Sequence, residues 1–342
     1  DGRYLVYTTW NDQEQGQVVV RDLRNGRERV LATGTGKFIE PTFSPDGNAV
    51  VYRKISGGYL TNPAYGLNTG LYYLPLDSDT PTRIARSGSQ PHFGSRNDRV
   101  YVQGFGASGP ELRSIDLDTH ESKTLYTSSH ATEYRVSPNG KYLAFAERFR
   151  VHVTPFVERG KAISISPSDR QLPVETLSKR AGSDISWTAD SSNLYWALGP
   201  ELYSASLEGM FDFAASDMEL VADGTDIGFE HPVYVPEQTV AFVGGQVVTM
   251  NGDEVIENGV AVVTGNRIEA VGRRGEVRVP SNARVIDTSG KTVIPGLIDT
   301  HAHGGQGEQQ IIPQQNWILY AGLTFGVTTI SDPSNNTAQI FT

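Results

Sequence analysis

Phe43-Ser44-Pro45-Asp46-Gly47, followed by the apolar run Ala49-Val50-Val51-Tyr52, is the stretch that decides the fold. Proline pre-sets φ at the first corner of a turn, aspartate bonds back to the backbone, and glycine takes positive φ before the next strand. The unit returns as Val136-Ser137-Pro138-Asn139-Gly140 before Tyr142-Leu143-Ala144-Phe145. Looser copies are Phe93-Gly94-Ser95-Arg96-Asn97-Asp98 before Val100-Tyr101-Val102, and Trp187-Thr188-Ala189-Asp190-Ser191-Ser192-Asn193 before Leu194-Tyr195-Trp196. Asp1-Gly2-Arg3-Tyr4-Leu5-Val6-Tyr7 reads as the second half of one more copy. From the turn Asp or Asn at positions 1, 46, 97, 139 and 190, the spacings are 45, 51, 42 and 51 residues, the range of a four-stranded propeller blade.

Each unit continues with a second strand pair, as in Gln17-Val18-Val19-Val20-Arg21-Asp22-Leu23 before the turn Arg24-Asn25-Gly26, and Glu111-Leu112-Arg113-Ser114-Ile115-Asp116-Leu117 before Asp118-Thr119-His120. Alternation of period two dominates and helical period is nearly absent. The expected class is mainly β: an incomplete propeller of four to five blades over residues 1–209. A β-sandwich with coincident turn spacing is the alternative. The insertion 57–70, with Tyr59, Asn62, Pro63 and Tyr65, is longer than a blade turn needs and reads as a surface insertion or as a loop reaching a neighbouring domain.

The whole chain has 342 residues, room for two or three domains. A net charge of −10 argues against nucleic acid as partner, since phosphate binding rests on clustered Lys and Arg. No apolar run is long enough to span a bilayer. The absence of cysteine removes disulfides, thiolate metal ligands and thiol nucleophiles. The chain opens with Asp1 in the middle of a repeat, so a fragment of a longer protein is expected.

The repeat lapses after Gly209. Residues 210–238, with Asp212, Asp217, Asp223, Asp226 and Glu230, read as a connector. Residues 239–292 then read as a small β-sandwich. In it, Ala241 to Met250 is expected to form a strand, a turn at Gly244-Gly245 and a second strand; Gly259–Thr264 and Arg267–Gly272 are joined by the Gly265-Asn266 turn. So thin a sheet buries little core alone and is expected to pack on something else.

Chemistry concentrates in Val293-Ile294-Pro295-Gly296-Leu297-Ile298-Asp299-Thr300-His301-Ala302-His303. On a strand, residues two apart face the same way, so Asp299, His301 and His303 are expected to project together, the two imidazoles about 6–7 Å apart along the strand. Neutral imidazoles suit zinc, iron, nickel or manganese better than calcium or magnesium. Asp299 lies one pleat too deep to be a ligand and is expected to orient a histidine. A helix over 309–321, with Pro313 in its first turn, and a second strand Val327-Thr328-Thr329-Ile330 ending in Ser331-Asp332-Pro333 complete a β–loop–α–β unit, the opening of a parallel α/β barrel with its chemistry at the C-terminal strand ends.

Two resemblances follow from these residues. Residues 1–209 resemble TolB-like, WD40-like β-propellers, through the Ser-Pro-Asp-Gly turn. Residues 241–342 resemble the metal-dependent amidohydrolase superfamily, especially its imidazolonepropionase-like branch, through the sandwich, the strand 293–299 with His301 and His303, and the strand after Gly326. The second resemblance implies that His301 and His303 bind a divalent metal, zinc foremost, and that water activated by it hydrolyses an amide, cyclic amide or peptide-like C–N bond. The barrel segment, 293–342, has 50 residues against about 250 in a whole barrel. The family's further ligands and its catalytic base therefore fall beyond Thr342, and the chain by itself is expected to be inactive. The rival reading is a binding module: a propeller that recruits a peptide or envelope protein, with a vestigial hydrolase part. By analogy with exported propeller–hydrolase fusions, a periplasmic or secreted location is expected.

Other residues read as structural. His92, His120, His130, His152 and His231 have no partner at ligand spacing, and Trp10, Trp187 and Trp196 fall on blade strands, where packing explains them. Asp332 closes the second barrel strand as an Asp-Pro turn or as part of the site mouth. Gly104-Phe105-Gly106-Ala107-Ser108-Gly109 lacks the Lys and helix of a phosphate loop.

Overall fold

The protein, described by a computed structural model over residues 2–56, 67–168, 171–211, 219–232, 234–303, 307 and 314–334, divides into two compact units. One is built on the chain up to Gly228 together with residues 307 and 314–318, and the other on residues 229–303 and 319–334.

The first unit is a succession of antiparallel meanders. The first holds β1 (Tyr4–Asn11), β2 (Gln15–Asp22) and β3 (Glu28–Gly34), in that order. The second holds β4 (Lys37–Phe43), β5 (Ala49–Ile55), β6 (Gly70–Pro75) and β7 (Thr82–Ala85). The third is β8 (Ser89–His92), β9 (Arg99–Gly106), β10 (Gly109–Asp116) and β11 (Ser122–Thr127). The fourth begins β12 (Ala131–Val136), β13 (Tyr142–Glu147) and β14 (Arg150–Pro155). The chain then sends β15 (Ile163–Ser164) back beside β11, in parallel, before β16 (Glu175–Thr176) completes the fourth sheet on β14. The fifth is β17 (Ser183–Trp187), β18 (Asn193–Leu198), β19 (Glu201–Ser206) and β20 (Thr225–Asp226). Five successive up-and-down sheets, joined end to end, are propeller blades. The strand β20 comes from the segment read as a connector: Thr225 pairs Leu202 and Asp226 pairs Glu201, while Met210 is buried in the blade core. Two residues of backbone pairing leave no alternating pattern to read. Of the insertion 57–70, residues 57–66, with Tyr59, Asn62, Pro63 and Tyr65, lie outside the described residues, as do Asp212 and Asp217.

The turn chemistry is repeated atom for atom. The Ser44 hydroxyl donates to Asp46 Oδ1 (2.6 Å) and accepts the Ala49 N–H (2.9 Å), while Asn48 N–H donates to Asp46 Oδ1 (3.0 Å). Ser137 and Asn139 do the same ahead of Tyr142, and Thr188 and Asp190 ahead of Asn193. Gly47 and Gly140 hold φ of 74° and 69°, which glycine takes without strain. The turns also tie neighbouring blades: Asp46 N–H donates to Asn97 Oδ1 (3.1 Å) and Asn139 N–H to Ser191 Oγ (3.0 Å).

Alternate residues of each blade fill cores shared with the next. One holds Val51, Leu71, Ile84, Phe93, Val100 and Val102, and another Tyr134, Leu143, Phe145, Leu112 and Tyr126. His92 belongs to this packing. The Val136 N–H donates to its Nε2 (3.0 Å), so the ring proton sits on Nδ1 and is donated to Gln90 O (3.0 Å). Burial, helped by Arg135, pushes the imidazole down to about 3 from its ordinary 6.5. The unfolded chain takes up that proton near 6.5 and the folded one resists, so stability falls as pH drops from about 6.5 towards 3. His92→Gln is expected to flatten that part of a urea-midpoint-versus-pH curve. An unchanged slope would mean that the imidazole is not the group responsible.

The second unit is one mixed sheet of order β23-β22-β21-β24, built from β21 (Thr239–Val248), β22 (Val255–Thr264), β23 (Arg267–Arg273) and β24 (Arg284–Asp287), with β25 (Thr292–Val293) also pairing β21. The turn expected at Gly244-Gly245 is a bulge inside a single strand. Thr239 to Val248 pairs β22 on both sides of it, and Gly244 supplies a φ of 94°. One face packs Ala241, Val260 and Val262 under Val277, Val279 and Ala283. The other face leaves Ile268 and Val271 exposed. A second sheet layer is not formed among the described residues.

The chain then enters β26 (Leu297–Asp299), α1 (Trp317–Thr324) and β27 (Val327–Ile330). The two strands pair in parallel, Leu297 to Val327 and Asp299 to Ile330, as expected for a βαβ unit. The described helix starts at Trp317, where Asn316 caps it: its Oδ1 accepts the Ile318 N–H at 3.1 Å. The residues 308–313, Pro313 included, lie outside the described ones. No closed barrel is formed among the described residues. Nor is any helix there long and apolar enough to cross a membrane.

Candidate metal-binding turn

The strand β26 ends at Asp299, and the chain turns at Thr300 and His301. Asp299 makes the turn: its Oδ1 accepts the His301 N–H at 3.1 Å, two residues on. The histidines therefore leave a turn rather than a strand. Their ring centroids stand 5.0 Å apart at 74°, closer than the strand rise predicts. The Asp299 carboxylate engages the main chain of His301 and not an imidazole, because the turn has brought the amide to it first.

The neighbouring strand supplies the rest. The Ser331 N–H donates to Asp299 O and the Ala302 N–H to Ser331 O, both at 2.9 Å, locking the two strand ends together. His303 Nδ1 lies 2.9 Å from Ser334 Oγ and 3.9 Å from Asp332 Oδ1. Asp332, whose side chain is 11% exposed, accepts the Ser334 N–H at 3.0 Å. Asp332 thus holds the turn after the second strand beside His303, while Ser334 was not singled out in the sequence, since a serine after Asp-Pro reads as turn chemistry. Pro295-Gly296 has a packing reason. A Cβ at Gly296 would meet Thr328 Oγ1 on the adjacent strand at far below contact distance.

A catalytic zinc takes three protein ligands and an open position; among the described residues no three His, Cys, Asp or Glu converge. Of the remaining histidines, His92 and His152 are buried in blades and engaged with Gln90 and Thr176, and His231 Nδ1 lies 3.0 Å from Pro232 O. His120 sits at φ 59° in its turn.

No family model matches the chain. A 5-methylthioadenosine/S-adenosylhomocysteine deaminase of Symbiobacterium thermophilum is 44% identical over 61 residues, 18% of this chain and 14% of the relative. An imidazolonepropionase of Alkaliphilus metalliredigens is 34% identical over 93 residues, 22% of this chain and 22% of the relative. The human dihydropyrimidinase-related protein 5 is 47% identical over 64 residues, 18% and 10% respectively. The chain thus spans less than a quarter of the length of these relatives. Among solved structures, TolB of Acinetobacter baumannii covers 79% of this chain and 65% of its own, with a TM-score of 0.49 and 14% identity. The β-propeller domain of Myceliophteria thermophila Cps50 (Swd1) covers 84% and 87%, with a TM-score of 0.43 and 11% identity. The blade order given above rests on this chain's own hydrogen bonds.

Proposed function

We propose that His301 and His303 are two ligands of the divalent-metal site of a hydrolase that cleaves C–N bonds other than peptide bonds, with zinc as the metal. The pair of imidazoles on a turn at the C-terminal end of a parallel strand, 5.0 Å apart, carries the reading. The short matches to a deaminase and an imidazolonepropionase support it. With Nδ1 of His303 donating to Ser334 Oγ, its Nε2 lone pair is left for a cation. Asp299 holds the main chain of the turn, and Asp332 steadies Ser334. A bound divalent ion would supply Lewis acidity to a water and to the scissile carbonyl. The substrate class is a small amide, cyclic amide or amidine; the propeller controls access or partners.

The test is a calorimetric titration with zinc chloride alone. Two imidazoles are expected to bind in the micromolar range or weaker, with His301→Ala and His303→Ala abolishing the heat. Ser334→Ala, which frees the ring, is expected to weaken binding by about 10-fold or more. Binding indifferent to both histidine substitutions would overturn the assignment.

A further inference from the structure

One cavity of the first unit belongs to none of the features above. It opens between the second and third blades, where Lys54 and Ile55 end β5, Thr69 and Gly70 lead into β6, and Arg86, Ser87 and Gly88 link β7 to β8. Its volume is about 370 Å³. Glycine shapes the wall: Gly70 and Gly88 hold φ of 145° and 136°, and a Cβ at Gly88 would meet Leu71 Cδ1 at 2.9 Å.

The polar groups around it can all donate, and two of them are cations without a counter-charge. Arg53 is neutralised, its Nη1 lying 3.2 Å from Glu40 Oε1. Lys54 and Arg86 have no carboxylate partner among the described residues. Lys54 Nζ has instead the ring of Phe38, with the centroid 5.7 Å away. The hydroxyls of Ser56, Thr69 and Ser87 have no hydrogen-bond partner among the described residues either. No acid lines the cavity among those residues, and residues 57–66 include no Asp or Glu. Burial alone lowers the Lys54 ammonium below its ordinary range, with no carboxylate near enough to raise it again. In a chain of net charge −10, a concave site with two unmatched cations is a place for an anion.

We infer that this cavity binds the dianion of a small phosphate monoester, between Lys54 and Arg86. Two positive charges match one dianion. The N–H groups of Lys54 and Arg86, with the three hydroxyls, outnumber the roughly four lone-pair positions of a carboxylate. The Arg86 guanidinium suits two phosphate oxygens side by side, and the Lys54 ammonium acts as a point charge. The cavity leaves room beyond the phosphate for an organic remainder, with Ile55 as an apolar wall. This concerns the propeller alone and stands apart from the metal-binding proposal.

Phenyl phosphate is the probe, titrated calorimetrically into the whole metal-free chain at constant ionic strength, with benzoate as the carboxylate control. Phenyl phosphate is expected to saturate a single site, and benzoate, with one charge and one oxygen fewer, to bind about 10-fold or more weakly. Arg86→Gln and Lys54→Gln should each weaken phenyl phosphate by about 10-fold or more, the loss of one hydrogen bond to a charged group. Arg86 is exposed, so its variant should keep the circular dichroism spectrum of the wild type. Lys123→Gln, which removes an exposed cation of β11, and His301→Ala should leave binding unchanged. Absence of saturable binding, benzoate binding as tightly as phenyl phosphate, or equal losses in Lys123→Gln and Arg86→Gln would each overturn the inference.

Discussion

Trp196→Ala is expected to destabilise the propeller unit by about 3–5 kcal/mol, the cost of emptying a large aromatic site that cannot collapse. Trp196 is 0% exposed, the largest of the fully buried side chains. It stacks on Tyr203 with ring centroids 6.0 Å apart and an interplanar angle of 7°, and it packs among Ala144, Val151, Val153 and Ile185 of two blades. Gly182 is shaped around it: a Cβ there would meet Trp196 Cδ1 at 2.5 Å and Val151 Cγ2 at 2.7 Å. Because a blade's stability is shared with its neighbours, the loss should appear as early unfolding of the fourth and fifth blades. Urea titration followed by far-ultraviolet circular dichroism measures it. Trp196→Phe, which keeps the stacking, should recover much of the loss; a loss below about 1 kcal/mol in the alanine variant would mean that the core repacks freely.

Glu133→Gln is expected to do the opposite at alkaline pH. Glu133 is 4% exposed between the fourth and fifth blades, where its Oε1 accepts the Ile185 N–H at 3.0 Å and lies 3.3 Å from Arg135 Nη2. Burial pushes its carboxyl up to about 7 from an ordinary 4.5, outweighing the pull of Arg135, with Asp184 adding to the rise. The unfolded chain gives up this proton near 4.5 and the folded chain only near 7. Stability therefore falls as pH rises through that window and is lowest above it. The glutamine keeps an oxygen acceptor for Ile185 and has no charge to desolvate. At about pH 8.5 it should be more stable than wild type by about 3 kcal/mol, and at about pH 4 the two should nearly coincide. Arg135 remains held by its bonds to Ile185 O (3.1 Å) and Gln90 O (3.2 Å). Thermal midpoints across that range decide it: a variant less stable at every pH would show that the Glu133–Arg135 pair outweighs burial.

Much of the fold was legible because its signals are local. The Ser44, Ser137 and Thr188 turns are closed by hydrogen bonds within six residues, and the strand alternation around them reports which face is buried. The βαβ unit was legible in its order, Leu297–Asp299, helix, Val327–Ile330, but not in its helix start. That start depends on Asn316 acting as a cap. At the candidate site the pair His301 and His303 could be read directly. Their geometry could not, since it depends on one side chain, Asp299, bending the chain just where a strand was expected to continue. Ser334 was invisible for the same kind of reason. It is 31 residues from His303 in the chain and reaches it only because two parallel strands end side by side.

The sequence by itself determined that this protein is made of repeating four-stranded units, followed by a thin sheet and a parallel strand pair bearing His-x-His. Turn chemistry and period two are enforced by neighbours along the chain, so they survive in any compact state. Tertiary structure alone decided which polar groups lost their water, as at Glu133 and His92, and that Thr225 and Asp226 would complete a blade. Those outcomes depend on what arrives from distant segments, and desolvation is a property of the packed surroundings rather than of the residue that is buried.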